Sequence, residues 1–366
     1  MTVGAYIHIP FCENKCDYCD FYSIVASEEE RKDYIQALLG DIIRNADKSA
    51  IIDTIYFGGG NPGLLLPHDV NQLIQAMDEH YLLDVNPEIT LECNPTSVSE
   101  ATLKAFHRAG INRLSLGVQS FNGNLLATLG RQRSKYPDDI IAIAVSIFPR
   151  VSLDLMLGIP GQTIQNVKED LSRIPKDIGH LSLYELTVYP KTRFSDHIKK
   201  GLICLNTDEE SEGVERFFVE SLQGQGFSQY EVSNFSKQDQ QSKHNLHYWH
   251  YDDFKGFGAG AVSSWKGARY FNTKLPQYMQ GVICDEREDL PESTQKLEWL
   301  MMNLRLTDGF ERKRYRARFG LDVLEDFSSI FEEQAEWFRL SPDSIALTSK
   351  GLLFHHNVLS AFVAKC

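Results

Sequence analysis

Tyr6-Ile-His-Ile-Pro-Phe-Cys12-Glu-Asn-Lys-Cys16-Asp-Tyr-Cys19-Asp-Phe21 is the stretch on which the reading of this chain turns. Its three cysteines are spaced C-x3-C-x2-C. A cubane 4Fe-4S cluster normally takes four thiolates, so three in a tight run imply that one iron keeps a coordination site for something other than protein. Residues 5–9 read as a strand, and Pro10 suits a strand end because it has no ladder donor to offer. The cysteines are therefore expected on a loop. A structural zinc site is the competing reading, but it normally needs a fourth Cys or His, and none follows closely enough for a compact knuckle.

Composition agrees with a soluble globular protein. The chain has 366 residues, 42% of them apolar, enough for one large domain and a smaller one. A net charge of -13 argues against a nucleic-acid surface, which needs a concentrated excess of Lys and Arg. No apolar run approaches the length of a membrane span, and the first residues lack the pattern of a signal peptide, so the expected compartment is the cytoplasm. Of the 7 cysteines, Cys93, Cys204, Cys284 and Cys366 are too scattered for a disulfide framework and read as free thiols.

Short β-rich runs at 5–9, 54–57, 89–93, 113–118, 152–157 and 181–186 alternate with amphipathic stretches, the signature of βα units around a parallel sheet. Several runs are almost continuously apolar, as expected for strands buried on both faces. Between the third and fourth, Ser97 and Glu100 suggest a capping box and Gly110 a helix end. Six units fall short of the eight that close a TIM barrel, so the expected fold is α/β, a partial (β/α)6 barrel. Active groups in parallel barrels lie at the carboxyl ends of the strands. There the chain places Gly58-Gly59-Gly60-Asn61-Pro62, whose glycines let backbone approach a ligand closely, although a plain flexible turn would look the same. Glu92, Gln119, Arg131 and Asp154 follow at or beyond later strand ends. Glu92 or Asp154 alone would read as an ion-pair or capping residue, but four such groups together point to a ligand.

The cysteine spacing resembles that of the radical SAM superfamily, and residues 6–21 resemble its coproporphyrinogen dehydrogenase branch. That resemblance implies a 4Fe-4S cluster on Cys12, Cys16 and Cys19, with the amino and carboxylate groups of S-adenosylmethionine on the unique iron. It implies cleavage of the sulfonium to a 5'-deoxyadenosyl radical, and the same partial barrel. It places Tyr6, Tyr18, Gly59, Gly60, Asn61, Glu92, Gln119, Arg131 and Asp154 around S-adenosylmethionine. Asn61 stands where the family usually has Thr, and Arg133 where relatives commonly have His. Oxygen-independent coproporphyrinogen oxidases of this branch carry a further Cys two residues after the third. Phe21 stands there instead, as in the HemW-type heme chaperones.

The resemblance continues through 182–190 with Thr192 and Phe194, and through 230–235. His244-Asn245-Leu246-His247-Tyr248-Trp249 then fits the H-N-x-x-Y-W signature of the HemW type. An imidazole can ligate heme iron, and Tyr and Trp offer flat faces to a porphyrin, so His244, Asn245, Tyr248 and Trp249 are the expected heme residues. Trp265 and Tyr270 are expected to extend that aromatic wall. The competing readings are a packed loop, or a weak metal trap formed by His244, His247 and His250. After Pro291 the chain turns helical and charged, with a basic run at 312–318, a candidate hairpin at 341–348 and a final helix, resembling the branch's small winged-helix-like C-terminal domain. Acidic residues on either side make the basic run a solvated face or partner contact. The expected domains are a barrel at 1–200, an extension carrying the aromatic motif at 201–290, and a C-terminal domain at 291–366.

Three functions stay open. A heme chaperone would bind one heme, use the cluster and S-adenosylmethionine in loading, and pass the heme to an acceptor such as a membrane cytochrome complex, with an electron donor such as flavodoxin or ferredoxin. A coproporphyrinogen III oxidase would decarboxylate two propionates. A third possibility is a radical SAM enzyme with another small-molecule substrate.

Overall fold

The structure, a computed structural model, describes residues 2–131 and 137–363; Arg133 and Cys366 lie outside the described residues. Six parallel strands form its centre: β1 (Thr2–Ile9), β2 (Ile51–Gly59), β3 (Leu82–Cys93), β4 (Arg113–Gln119), β5 (Arg150–Leu157) and β6 (His180–Glu185). They pair in chain order, with helices between them. Beyond β6 the sheet continues antiparallel with β7 (Ser228–Glu231) and β8 (Asn234–Ser236). On the free side of β1 it adds β9 (Phe254–Phe257), β10 (Val262–Trp265), β11 (Ala268–Asn272) and β12 (Cys284–Asp289), with β9 parallel to β1.

The expected near-continuous apolar strands are in fact alternating. Val3, Ala5, Ile7 and Ile9 of β1 are fully buried with Tyr34, Leu38 and Ile42 of the helix Glu28–Arg44. Ile55 and Phe57, Ile89 and Leu91, Leu114 and Leu116, Leu153 and Leu155, and Leu181 and Leu183 repeat the pattern against the helical layer. With a side-chain period of two, the residues between them point the other way. These are Tyr6 and His8, Thr54 and Tyr56, Glu88, Thr90 and Glu92, Arg113 and Ser115, Ser152 and Asp154, and His180 and Ser182. The inner face is thus polar rather than filled by layers of branched side chains.

Local signals explain the elements. Ser27 and Glu30 form a capping box on the helix Glu28–Arg44, and Thr163 and Thr207 cap two later helices in the same way. The helix Glu100–Arg108 is capped by Ser99, which accepts from the Thr102 amide, and not by the expected Ser97. The Ser97 hydroxyl instead donates to the Asn94 carbonyl, 2.9 Å away. Gly110 ends that helix at φ 113° as expected. The outer strands β9 to β12 are pinned to the helix Glu28–Arg44 by buried Asp41, which accepts from the Gly258 amide at 3.0 Å and the Tyr278 hydroxyl at 2.7 Å.

Residues after Pro291 have a second core around Trp299, Tyr315, Phe331 and Phe362, and a three-stranded sheet of β13 (Phe310–Glu311), β14 (Phe338–Leu340) and β15 (Ser344–Leu347). β14 and β15 pair as a hairpin whose turn and second strand fall in the expected residues 341–348, while its first strand, Phe338–Leu340, lies just before them. The basic run presents the solvated face expected of it, with Lys313, Arg316 and Arg318 exposed, and it also makes contacts within the chain. Arg312 and Arg316 pair with Asp322, Arg314 donates to the His250 carbonyl, and Arg318 lies over Tyr251.

Candidate functional site

The cysteine loop is held by its backbone. Cys12 N donates to Ile24 O at 2.9 Å, Ile24 N to Pro10 O at 2.7 Å, and Asp17 N to Leu129 O at 3.1 Å. The end of β2 ties it from below: Gly60 N donates to Ile9 O and Asn61 N to Phe11 O, at 2.8 and 2.7 Å. A Cβ on Gly60 would stand 2.5 Å from Phe11 O, and one on Gly59, at φ 114°, would meet the His8 ring at 2.5 Å. The glycines are therefore required first by the packing of the loop. Cys12, Cys16 and Cys19 are free, partly buried thiols, and burial pushes the Cys12 and Cys19 thiols upward. Among the described residues no three His, Cys, Asp or Glu side chains gather around a single ion. Three thiols at one loop suit instead a cubane, which takes each thiolate on a different iron.

Arg131 organises the adjoining groove. One guanidinium nitrogen donates to Asn94 Oδ1 and to Gly117 O, both at 2.6 Å, and the other to the Tyr18 hydroxyl at 3.3 Å, with Cys16 Sγ at 3.9 Å. A Cβ on Gly117 would clash with Arg131, so glycine makes room for this cation. Gln119 occupies a left-handed backbone position, φ 66°, and its side-chain oxygen is buried without a partner. Asn61 accepts from the Asn94 amide at 3.3 Å, while its side-chain nitrogen is likewise buried and unpartnered. Buried polar atoms are nearly always paired, so two orphans beside the cysteine loop fit a polar ligand.

Asp154 accepts from Ser115 at 3.0 Å and hydrogen-bonds Ser182, and burial pushes its carboxyl up. Glu92 accepts from the Tyr56 hydroxyl at 2.6 Å and the Gly59 amide at 3.3 Å. Burial lifts it to about 7 against the pull of the Tyr56 bond, with nearby Asp154 adding to the rise. Tyr6 donates to His8 Nδ1 at 3.1 Å. The roles of Thr54, Tyr56, His8 and Asn94 were not anticipated. Their signal was the polar residue at every second position of strands expected to be apolar.

The aromatic motif forms the helix Lys243–Trp249, and it meets the barrel at the amino ends of the strands. Glu88 accepts from the first amides of this helix, His244 N at 3.1 Å and Lys243 N at 3.3 Å, and pairs with Arg150. His244 is 1% exposed; its Nδ1 is 2.8 Å from Thr54 Oγ1 and its Nε2 2.8 Å from the Tyr248 hydroxyl. Neither nitrogen faces open space, so the expected iron-binding imidazole is enclosed. His247 is paired with Asp53 and Asp252, which does not fit a metal trap with its neighbours. Trp249 lies under Arg305, 4.3 Å from the guanidinium, against the C-terminal part of the chain. Of the four expected heme residues only Tyr248 reaches the cavity that opens beside β1. That cavity, about 400 Å³, has Phe21, Tyr22, Phe254 and Val262 as apolar walls, and Tyr6, His8 and Glu92 as polar ones. Trp265 and Tyr270 are not part of it. Val262 faces the cavity, so alternation turns Ser263 and Trp265 to the opposite face, where Trp265 and Tyr270 border a separate recess with Lys255.

Comparison with known proteins agrees with this arrangement. The Radical SAM superfamily profile matches residues 6–174. The heme chaperone HemW of Bacillus subtilis is 32% identical, with 99% of both chains covered. The HemW of Escherichia coli K12 is also 32% identical, covering 99% of this chain and 98% of that protein. Among solved structures, coproporphyrinogen III oxidase (HemN) from Escherichia coli superposes with a TM-score of 0.84 at 20% identity, covering 98% of this chain and 89% of that one. A thiol loop at the carboxyl ends of a partial βα barrel, a full-length match to these relatives and the shared fold lead to one conclusion: the chain belongs to the HemW family of the radical SAM superfamily.

Proposed function

We propose that this protein is a heme chaperone: it holds heme in the cavity beside β1 and passes it to an acceptor protein. The observation that carries the reading is the cavity itself, apolar-walled and about 400 Å³, with Phe21 in its wall just past the cysteine loop. Pockets of this size and lining suit a flat, largely apolar ligand. The names of the full-length relatives support the same cargo.

Cys12, Cys16 and Cys19 would hold a 4Fe-4S cluster, and the groove at Arg131, Gln119 and Asn61 would take S-adenosylmethionine. When bound, the pair supplies one-electron chemistry. The protein's own groups do the positioning. Arg131, already carrying Tyr18 and Asn94, sets a positive charge beside Cys16, where a ligand carboxylate can pair with it. The amides of Gly59, Gly60 and Asn61 are already donating, and a ligand ammonium, which only donates, would need backbone carbonyl oxygens as its acceptors there. Glu92, titrating at about 7, can hold or release a proton between this groove and the cavity. The acceptor would be of the membrane cytochrome type, a flavodoxin or ferredoxin the reductant, and the cytoplasm the compartment. No helix among the described residues is long and apolar enough to cross a membrane.

The second reading, a coproporphyrinogen III oxidase, has the shared fold in its favour. Against it, Phe21, 69% exposed, stands where that reading expects a thiol. Anaerobic titration of the reconstituted protein with heme, followed by desalting, separates the two. A Soret band retained at about one heme per chain supports the chaperone. Loss of all heme with the cluster intact, together with turnover of coproporphyrinogen, replaces it with the oxidase.

A further inference from the structure

We infer that the basic segment at residues 191–200, attached to the cysteine loop, is the docking surface for the reductant, and that the partner it fits is a small acidic electron-carrier protein. This rests on the cluster reading above and names where the electron enters.

The charge of this segment runs against that of the chain. The protein carries a net charge of -13, yet Lys191, Arg193, Lys199 and Lys200 are all exposed here against one carboxylate, Asp196. The helix Arg193–Lys199 buries Phe194 and Ser195, while Arg193 and Lys200, seven positions apart, come to its outer side together. Two of the cations are paired only at length and in water, Arg193 with Asp17 at 3.8 Å and Lys199 with Asp196 at 3.9 Å, so exchanging those partners costs little. Leu202 folds back onto the helix end, its amide 2.9 Å from the His197 carbonyl, and leaves its side chain 70% exposed. Exposed apolar groups among charged ones have the make-up of a protein–protein contact.

Position ties this surface to electron entry. The Phe194 amide donates to the Asp17 carbonyl at 2.9 Å, and Arg193 reaches the Asp17 carboxylate. Asp17 follows Cys16 directly, so the basic helix is fastened to the neighbour of a cluster ligand. The heme cavity opens farther along the same loop, where Phe21 and Tyr22 wall it, and none of residues 191–200 lines it. A heme acceptor must reach that cavity, so the surface at 191–200 suits the other partner. Exposed Glu13 and Asp20 on the loop itself repel an acidic carrier and turn it toward the basic side.

The step is an outer-sphere transfer. The carrier is oxidised by one electron, the cluster on Cys12, Cys16 and Cys19 is reduced by the same electron, and no bond or proton changes hands.

The test is calorimetric titration of the full-length, cluster-reconstituted protein with an acidic flavodoxin at low and high salt. The rate of cluster reduction by the photoreduced flavodoxin is the second readout. Lys199→Glu/Lys200→Glu is compared with Lys32→Glu/Lys313→Glu, which changes the net charge equally at exposed positions elsewhere. The expected result is parent binding that weakens steeply with salt, and affinity and reduction rate lower by roughly tenfold or more in the first variant alone. Reduction by dithionite, which needs no docking, should be the same in all three. Leu202→Ser should weaken binding while leaving its salt dependence unchanged. Circular dichroism and iron content matching the parent show that the variants are folded. Equal affinity in the two double variants, or binding indifferent to salt, overturns the surface while leaving the cluster and heme readings standing. Retention on phosphatidylserine vesicles with no binding of flavodoxin assigns the cations to a membrane and overturns it as well. A parent that takes up no iron and sulfide overturns the cluster reading and this surface with it.

Discussion

His247 Nε2 lies 2.7 Å from Asp53 Oδ1, joining two residues that are 194 positions apart in the chain. Asp53 sits where the β1–β2 and β2–β3 registers around it shift, so its carboxylate is turned out of the regular ladder. Asp252 approaches the other ring nitrogen at 3.2 Å. The imidazole clamped between them seats the helix that carries Tyr248.

This clamp gives stability a pH signature. Burial disfavours the charged ring, but hydrogen bonds and charge from Asp252 and Asp53 outweigh it and hold His247 up at about 9. Unfolded, the same ring titrates near ~6.5. The stabilisation is therefore complete below about pH 6.5 and is lost as pH rises through about 9. Asp53→Asn should cost roughly 1–3 kcal/mol at pH 6 and little at pH 10, read from urea midpoints across that range. Equal losses at both ends would show that the ring is not charged.

Glu92, an acid raised by burial, moves stability with pH in the same direction as His247. Its folded value of about 7 lies above the unfolded ~4.3, so the carboxyl favours the folded state below about pH 4.3, and that advantage is lost as pH rises through about 7. Glu92→Gln, which keeps an acceptor for Tyr56, should be more stable than the parent by roughly 1 kcal/mol at pH 8 and not at pH 4. Thermal melts at the two pH values decide it.

Gly60→Ala tests the seat of the cysteine loop. The added methyl would press on Phe11 O and force apart the bonds from Gly60 N to Ile9 O and Asn61 N to Phe11 O. The expected cost is about 1–3 kcal/mol, together with lower iron content after reconstitution and unchanged secondary structure. Normal iron loading would remove the glycines from the account of the loop.

Cys12→Ser, Cys16→Ser and Cys19→Ser should each lose the bound iron and sulfide, because an open iron leaves no spare thiolate to substitute for the missing one. Full iron and sulfide in any of the three would end the cluster assignment.

The parallel strands, the cysteine loop and the helix-ending Gly110 were legible in the sequence because each depends on local chemistry: strand runs, thiol spacing, a left-handed residue. The polar inner face was hidden in plain view, since Thr54-Ile-Tyr-Phe57 and Ser152-Leu-Asp154 read as apolar runs with interruptions when they are strict alternations. The fate of His244 was not legible. Its enclosure depends on Thr54 and Glu88, both more than 150 residues away in the chain. The side of β10 on which Trp265 falls was equally closed to local reading, because it follows from a pairing register with β11.

The strand order has a consequence for synthesis. β1 pairs with β2 on one side and with β9, residues 254–257, on the other. The ties from Gly60 and Asn61 to the cysteine loop are available once β2 has emerged, and the tie to Leu129 follows. Tyr248, Phe254 and Val262, which wall the cavity, emerge later by roughly ten seconds at ~5–20 residues per second. A nascent chain therefore brings its three thiols together, along the open edge of β1, before Tyr248, Phe254 and Val262 have emerged to wall a cavity beside them.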